Sequence, residues 1–328
     1  MKISNLKQTH TITNFKSYNK NNSKTGLPTS TAFYIDYPVL KKSAEIIQKT
    51  FPQGTNILVY AGSNGEEALS LNTILNNKNK YNIYSIDTCK KAIEYAKNGI
   101  YAIHPGMSDG FLIKNNLNKT QKEMYRKFHK HFKEIPKPKE QIDNVTDVIY
   151  CLKFNDEDIF AQKYFIPNNH TKSNIYFVKD DINNIEKFTA KNNDGKVGAV
   201  FFRNAFYQVI KNDLTGIIQY GDEPNLKLNK LQVLDELINN KIYKKLDIGG
   251  ILVLGNHLQE HLFIADDSIP VEESILFDPT RNLRYSKKHL LFEVLNKNGN
   301  FKPIYKSTVN GLNKENNYRL PLIWQKIK

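Results

Sequence analysis

Residues 57–60 constrain this chain more than any other segment. Ile57, Leu58, Val59 and Tyr60 are consecutive apolar residues and read as a buried strand, and Gly62 and Gly65 follow at a turn. Ala68, Leu71, Ile74 and Leu75 then recur at helical spacing. A buried strand that runs through a glycine turn into a helix is one step of a parallel sheet covered by helices. The step repeats over 82–86, where Asp87 or Thr88 can cap the next helix, Ala92, Ile93 and Ala96 line its inner face, and Gly99 ends it. Further strands are expected at 175–178, 197–202 and 251–254. Before the last of these, Leu231, Leu234, Leu237, Ile238, Ile242 and Leu246 share one face of a long helix that stops at Gly249-Gly250. The fold class is therefore α/β, a mostly parallel sheet with helices on both faces.

Other segments depart from this rhythm. Residues 1–30 carry few apolar side chains and read as a polar, disordered leader, which leaves 31–328 as one domain that opens with a helix over 39–50. An insert at about 105–170 is basic, with a helix over 120–132 that bears Lys122, Arg126, Lys127 and Lys130, closed by Pro136 and Pro138. Two short strands are expected within 147–165. Near the end, 290–295 and 318–324 read as an antiparallel pair after a loop-rich stretch over 264–285.

Composition narrows the function classes. The chain has 47 Lys and Arg against 33 Asp and Glu, a net charge of +14 that suits acidic partners. The excess is mostly Lys spread through Asn/Lys-rich loops, with neither an Arg-rich block nor an aromatic box for reading bases, so nucleic acid is disfavoured as a partner. No run of about 18 apolar residues is present, and the first residues lack an apolar core, which points to no membrane span and a cytoplasmic location. Cys89 and Cys151 are too few and too isolated for a disulfide framework or a zinc site. His257 and His261 are spaced i, i+4 but lack the Glu of H-E-x-x-H, so no metal site is expected.

The run Ala61-Gly62-Ser63-Asn64-Gly65-Glu66-Glu67 stands where open α/β sheets bind ligands, at the carboxyl end of the first strand. It is neither G-x-G-x-x-G nor a Walker loop. Glu67 beside a helix N-terminus would repel a pyrophosphate, so the turn suits a cationic or hydroxyl-bearing ligand.

These residues carry a resemblance. ILVYAGSNGEEALSL resembles motif I of the chemotaxis-receptor glutamate methyltransferases (CheR type), SIDTCKKAIEYAKNGIYA their second strand and helix, VGAVFFRNAFYQVI a buried strand ending in Arg-Asn, and GGILVLGNH a late strand. The four blocks keep the family's order over about 50–260. The resemblance implies a class I methyltransferase fold that uses S-adenosylmethionine (SAM) to methylate a protein side-chain carboxylate. Carried over by position, it implies that Ala61, Gly62, Ser63, Gly65 and Glu67 line the cofactor, that Asp181 and Ile182 border its adenine, and that Arg203 and Asn204 face the methyl. Arg203, with Tyr207 or Gln208, would then flank the acceptor. Ser85 aligns with the family's ribose-binding acid and Asp87 lies two positions on, while Ile35 stands where the family has an arginine. The alternatives are an RNA methyltransferase and a catalytically silent SAM-binding or interaction module.

Overall fold

The computed structural model describes residues 32–76, 78–105, 109–114, 116–138, 163–190, 195–203, 205–209, 224–255, 263–266, 268–278, 282–308 and 319–328. The leader, Cys151, Asn204, His257 and His261 lie outside them.

The first strand, β1 (Thr55–Tyr60), is buried along its whole length, as is β7 (Val197–Phe202) beside it. Between them in sequence come β2 (Tyr81–Asp87) and β6 (Ile175–Lys179), and after them β8 (Leu246–Val253), β12 (Phe301–Thr308) and β13 (Arg319–Lys326). These form one seven-stranded sheet in the order β12-β13-β8-β7-β1-β2-β6. The five strands from β6 to β8 run parallel, whereas β13 is antiparallel to β8 and β12 to β13. This is the mostly parallel, helix-covered α/β sheet expected from the sequence.

Helices α1 (Tyr37–Thr50), α2 (Glu66–Ile74) and α3 (Lys90–Asn98) cover one face. On the other face Tyr84 stacks on Tyr176 and meets Phe188 edge-on. There α5 (Pro224–Asp235) packs against α6 (Leu290–Lys297). The insert contributes β3 (Tyr101–Ile103), α4 (Lys119–His131), β4 (Phe132–Ile135) and β5 (Lys163–Pro167), with a small antiparallel sheet in the order β3-β5-β4. Phe33 plugs into it, with Tyr101, Phe128 and Phe132 around it at ring separations of 5.2, 5.1 and 5.0 Å.

Four sequence expectations are corrected. Helix α4 starts on a capping box between Asn118 and Gln121 and passes straight into β4, so Pro136 and Pro138 lie beyond a strand and do not end the helix. The long helix runs from α5 through a π-helical stretch, Glu236–Ile242, and one last turn, Tyr243–Lys245, and stops before Leu246. Its end is met by lysines, since Lys196 Nζ donates to the Lys244 carbonyl and Lys326 Nζ to those of Tyr243 and Leu246, both at 2.8 Å. Free carbonyls satisfied by side-chain donors need no glycine stop, and Gly249-Gly250 sits inside β8.

Residues 290–295 are helical rather than extended, because Leu290, Leu291, Val294 and Leu295 bury one helix face, and the partner of β13 is β12. The stretch expected to be loop holds a second small sheet of β9 (Phe263–Asp266), β10 (Ser274–Asp278) and β11 (Leu283–His289). Among the described residues no helix is long and apolar enough to cross a membrane.

Candidate functional site

The order of the sheet reverses at β1, which has β2 on one side and β7 on the other. Ligands of open α/β sheets bind outside the carboxyl ends of strands at such a point. The 61–65 turn occupies it. Ala61, Ser63 and Gly65 all have positive φ, at 54°, 48° and 91°. Two non-glycine residues in this region cost of order 1–3 kcal/mol each unless the surroundings hold them. Here the surroundings do so: Gly62 N–H donates to the Ile86 carbonyl at 3.0 Å, Gly65 N–H to the Gly62 carbonyl at 2.9 Å, and the Tyr101 hydroxyl to the Asn64 carbonyl at 3.0 Å. A Cβ on Gly62 would lie 2.4 Å from Ser85 Oγ, and one on Gly65 2.5 Å from a Phe177 ring carbon.

On the β2 side the turn is fastened by Asp87. Its Oδ2 accepts the Ser63 N–H at 2.9 Å and its Oδ1 the Cys89 N–H at 2.8 Å, so one carboxylate ties the turn to the start of α3. Burial pushes this carboxyl up, and the backbone donors of Cys89 and Ser63 oppose the shift. Ser85 is enclosed beneath Gly62, and its hydroxyl is among the buried groups with no hydrogen-bond partner. The carboxylate at the strand end is that of Asp87, one pleat further along the same strand face.

On the β7 side Arg203 follows the last strand residue. Its Nη1 donates to Glu67 Oε2 at 3.0 Å, and its Nη2 to the Ile35 carbonyl at 3.2 Å and to an Asp36 carboxylate oxygen. The Arg203 and Asp36 side chains are each 2% exposed and that of Glu67 12%. Burial disfavours the charged guanidinium, but Glu67 and Asp36 outweigh it and hold Arg203 above its ordinary value. Burial raises the Glu67 carboxyl in spite of Arg203. Arg203 therefore braces β7, α2 and residues 35–36 together. Tyr207 and Gln208 fall in the short helix Phe206–Val209.

Beyond β6, Asp181 accepts the Asn183 N–H at 2.8 Å and caps the turn Ile182–Asn184, with Ile182 buried behind it. Asp180 N–H donates to the Asp87 carbonyl at 3.1 Å, which draws this segment to the end of β2. Glu67, Asp87, Asp180 and Asp181 thus gather around the ends of β1, β2 and β6. Four carboxylates offer acceptors for hydroxyls and a field for cations, and they disfavour a phosphate-rich ligand. Among the described residues no cluster of His, Cys, Asp and Glu could hold a metal ion.

No family model and no curated protein matches this sequence. Several solved structures do. The plantazolicin methyltransferase BamL, in complex with SAH and a triazolic desmethylPZN analog, is 12% identical over 70% of this chain and 44% of its own, with a TM-score of 0.28. The CurJ carbon methyltransferase is 12% identical over 90% and 57%, with a TM-score of 0.39. The bifunctional kinase-methyltransferase WbdD is 8% identical over 89% and 39%, with a TM-score of 0.38. The chain thus spans about half the length, or less, of the proteins it matches. At these scores the likenesses say nothing of chemistry.

Two residues of the site escape a reading of the sequence. Asp36, with φ 54°, occupies the N-cap position of α1 without capping it, and gives its carboxylate to Arg203 instead. Tyr60 ends β1 with a buried hydroxyl that is among the groups with no hydrogen-bond partner. Burial raises its phenol strongly, and Asp180 and Asp181 raise it further, which places the ring beside the acidic pair. A tyrosine at the end of an otherwise aliphatic run was the signal for the second; nothing local marks the first.

Proposed function

We propose that this chain is a SAM-dependent methyltransferase whose acceptor is a side-chain carboxylate of a protein. One observation carries the reading: a turn held in positive-φ geometry at the point where the strand order reverses, with carboxylates at the ends of the adjacent strands. Those donors and acceptors fit a ligand that combines ribose hydroxyls with ammonium and sulfonium charges. Glu67, Asp87, Asp181 and the backbone of residues 61–65 would hold it, with Ile182 packing beside it. When bound, SAM supplies an electrophilic methyl group. The four sequence blocks of CheR type support the carboxylate acceptor.

A glutamate carboxylate has an ordinary pKa of about 4.3 and arrives ionised at neutral pH, so no general base is required. The protein's task is alignment and exclusion of water, and alignment of this kind is worth about 7–11 kcal/mol. Rigidity serves it, and the Arg203 brace keeps the turn, α2 and residues 35–36 in one arrangement. The test is transfer of labelled methyl from SAM to protein, scored by lability in mild base. Label released by base supports an ester; base-stable label overturns the carboxylate assignment and leaves methyl transfer standing.

A second reading, a catalytically silent SAM-binding module, is favoured by the engagement of Arg203 with Asp36 and Glu67. Calorimetric binding of SAM without any transfer would select it. Absence of binding at millimolar SAM would reject both.

A further inference from the structure

A groove of about 490 Å³ runs between α4 and the end of α2, away from the carboxylates just described. One wall is basic: Arg126, Lys127, Lys130 and His131 stand at i, i+1, i+4 and i+5, two adjacent rows on one face of α4. The other wall is Thr73, Leu75 and Asn76. The acid lining the groove, Glu123, is already engaged, since it accepts from the Tyr37 hydroxyl at 2.6 Å and pairs with Lys41 at 3.0 Å. Among the described residues Arg126, Lys127 and Lys130 form no ion pair. Lys127 lies within reach of the Glu123 charge, but Arg126 and Lys130 are exposed cations facing Thr73, Leu75 and Asn76, so the groove has a net positive field and room for a ligand.

We propose that this groove docks an acidic, extended segment of a partner protein, which rests on the reading that the methyl acceptor is a protein. Arg126 and Lys130 are separated by about 6 Å of helix rise. Alternate side chains of an extended peptide repeat at about 6.6 Å, which matches that interval. Among the described residues no Phe, Tyr or Trp lines the groove to stack a base, and its cations are mostly lysines, point charges suited to carboxylates rather than to planar readout. The groove is tied to the site along α2. Thr73 bonds the Tyr34 hydroxyl at 2.9 Å, Ser70 Oγ accepts the Tyr34 N–H at 2.9 Å, and Glu67 lies six residues, about 9 Å, up the same helix. A segment held there leaves a few extended residues to span to the strand ends.

The test uses the full chain without SAM and a labelled ten-residue peptide with Glu at alternate positions, read by fluorescence anisotropy at low salt. The same peptide with Gln is the reference. We expect the Glu peptide to bind at least about tenfold tighter than the Gln peptide, and Arg126→Glu/Lys130→Glu to remove that preference. Arg126 and Lys130 are exposed, so the fold should survive, and a thermal melt checks it. Lys97→Glu/Lys302→Glu changes net charge equally on exposed positions elsewhere and should shift binding less than about threefold. Three outcomes overturn the proposal: no preference for Glu, equal losses in both variants, or a single-stranded RNA ten-mer that outcompetes the peptide and is lost with Arg126→Glu/Lys130→Glu. Peptide binding is scored without methyl transfer, so a chain that docks the peptide but transfers no methyl group sinks the functional reading alone.

Discussion

The 61–65 turn is held from two sides, and the two sides are built differently. Toward β2, a single carboxylate, Asp87, gathers the backbone N–H groups of Ser63 and Cys89, one on each oxygen, with that of Thr88 beside them, and keeps acceptor capacity over. Toward β7, a buried guanidinium is shared between two carboxylates and a carbonyl, drawn from three parts of the chain. The β2 side retains capacity for a ligand. On the β7 side the guanidinium and both carboxylates are engaged with one another, and its contribution is rigidity.

The largest effect should come from breaking the buried brace. Arg203→Leu leaves Asp36 and Glu67 unpaired in the interior and should cost about 3–5 kcal/mol in urea denaturation. Adding Asp36→Asn and Glu67→Gln should restore most of it. A loss under about 1 kcal/mol for Arg203→Leu alone would mean that the two sides do not differ as described.

A second buried carboxylate lies against the segment before α1. Asp109 is buried, accepts the Phe33 N–H at 3.4 Å, and has its carboxyl pushed up to about 6 by burial. A carboxyl raised in the folded state binds protons more tightly there than in the unfolded chain, so it penalises folding progressively as pH rises from its unfolded value to its folded one, and in full above that. Asp109→Asn should therefore stabilise the protein at pH 7 by about 2–3 kcal/mol, with the gain gone below about pH 4. Melting temperatures at the two pH values check the sign.

On the β2 side, Asp87→Asn weakens two charge-assisted bonds, for about 1–3 kcal/mol of stability, and should reduce SAM affinity at least tenfold by calorimetry. Glu67→Gln should weaken binding less than Asp87→Asn; the reverse ranking would exchange the roles assigned to the two sides. The smallest change is steric. Gly62→Ala drives a methyl group against Ser85 Oγ and should cost about 1–2 kcal/mol, partly recovered with Ser85→Ala.

What the sequence reveals of this site follows the range of the interactions. Gly62, Gly65 and the four apolar residues before them are local signals, and the strand, turn and helix lie where they indicate. Asp36 is invisible to such reading because its partner is 167 residues away. Ser85 and Asp87 stand two residues apart on one strand face, and only the sheet shows which of them ends the strand. Residues 290–295 were ambiguous for a different reason: a short apolar run carries no period that separates strand from helix, and packing on α5 decides it. The end of the long helix depends on Lys326, whose donation to its last carbonyls no local pattern announces.

The distance between Asp36 and Arg203 also bears on how the chain is made. During synthesis at roughly 5–20 residues per second, Asp36 emerges about 8–30 s before its guanidinium partner exists. In that interval the segment before α1 has its charge uncommitted, and β1 lacks β7 on one edge. The buried ion pair thus works as a late latch: the nascent half-sheet waits for the arrival of residue 203, and variants that slow passage through 139–196 should lengthen exposure to proteases and chaperones without altering the finished protein.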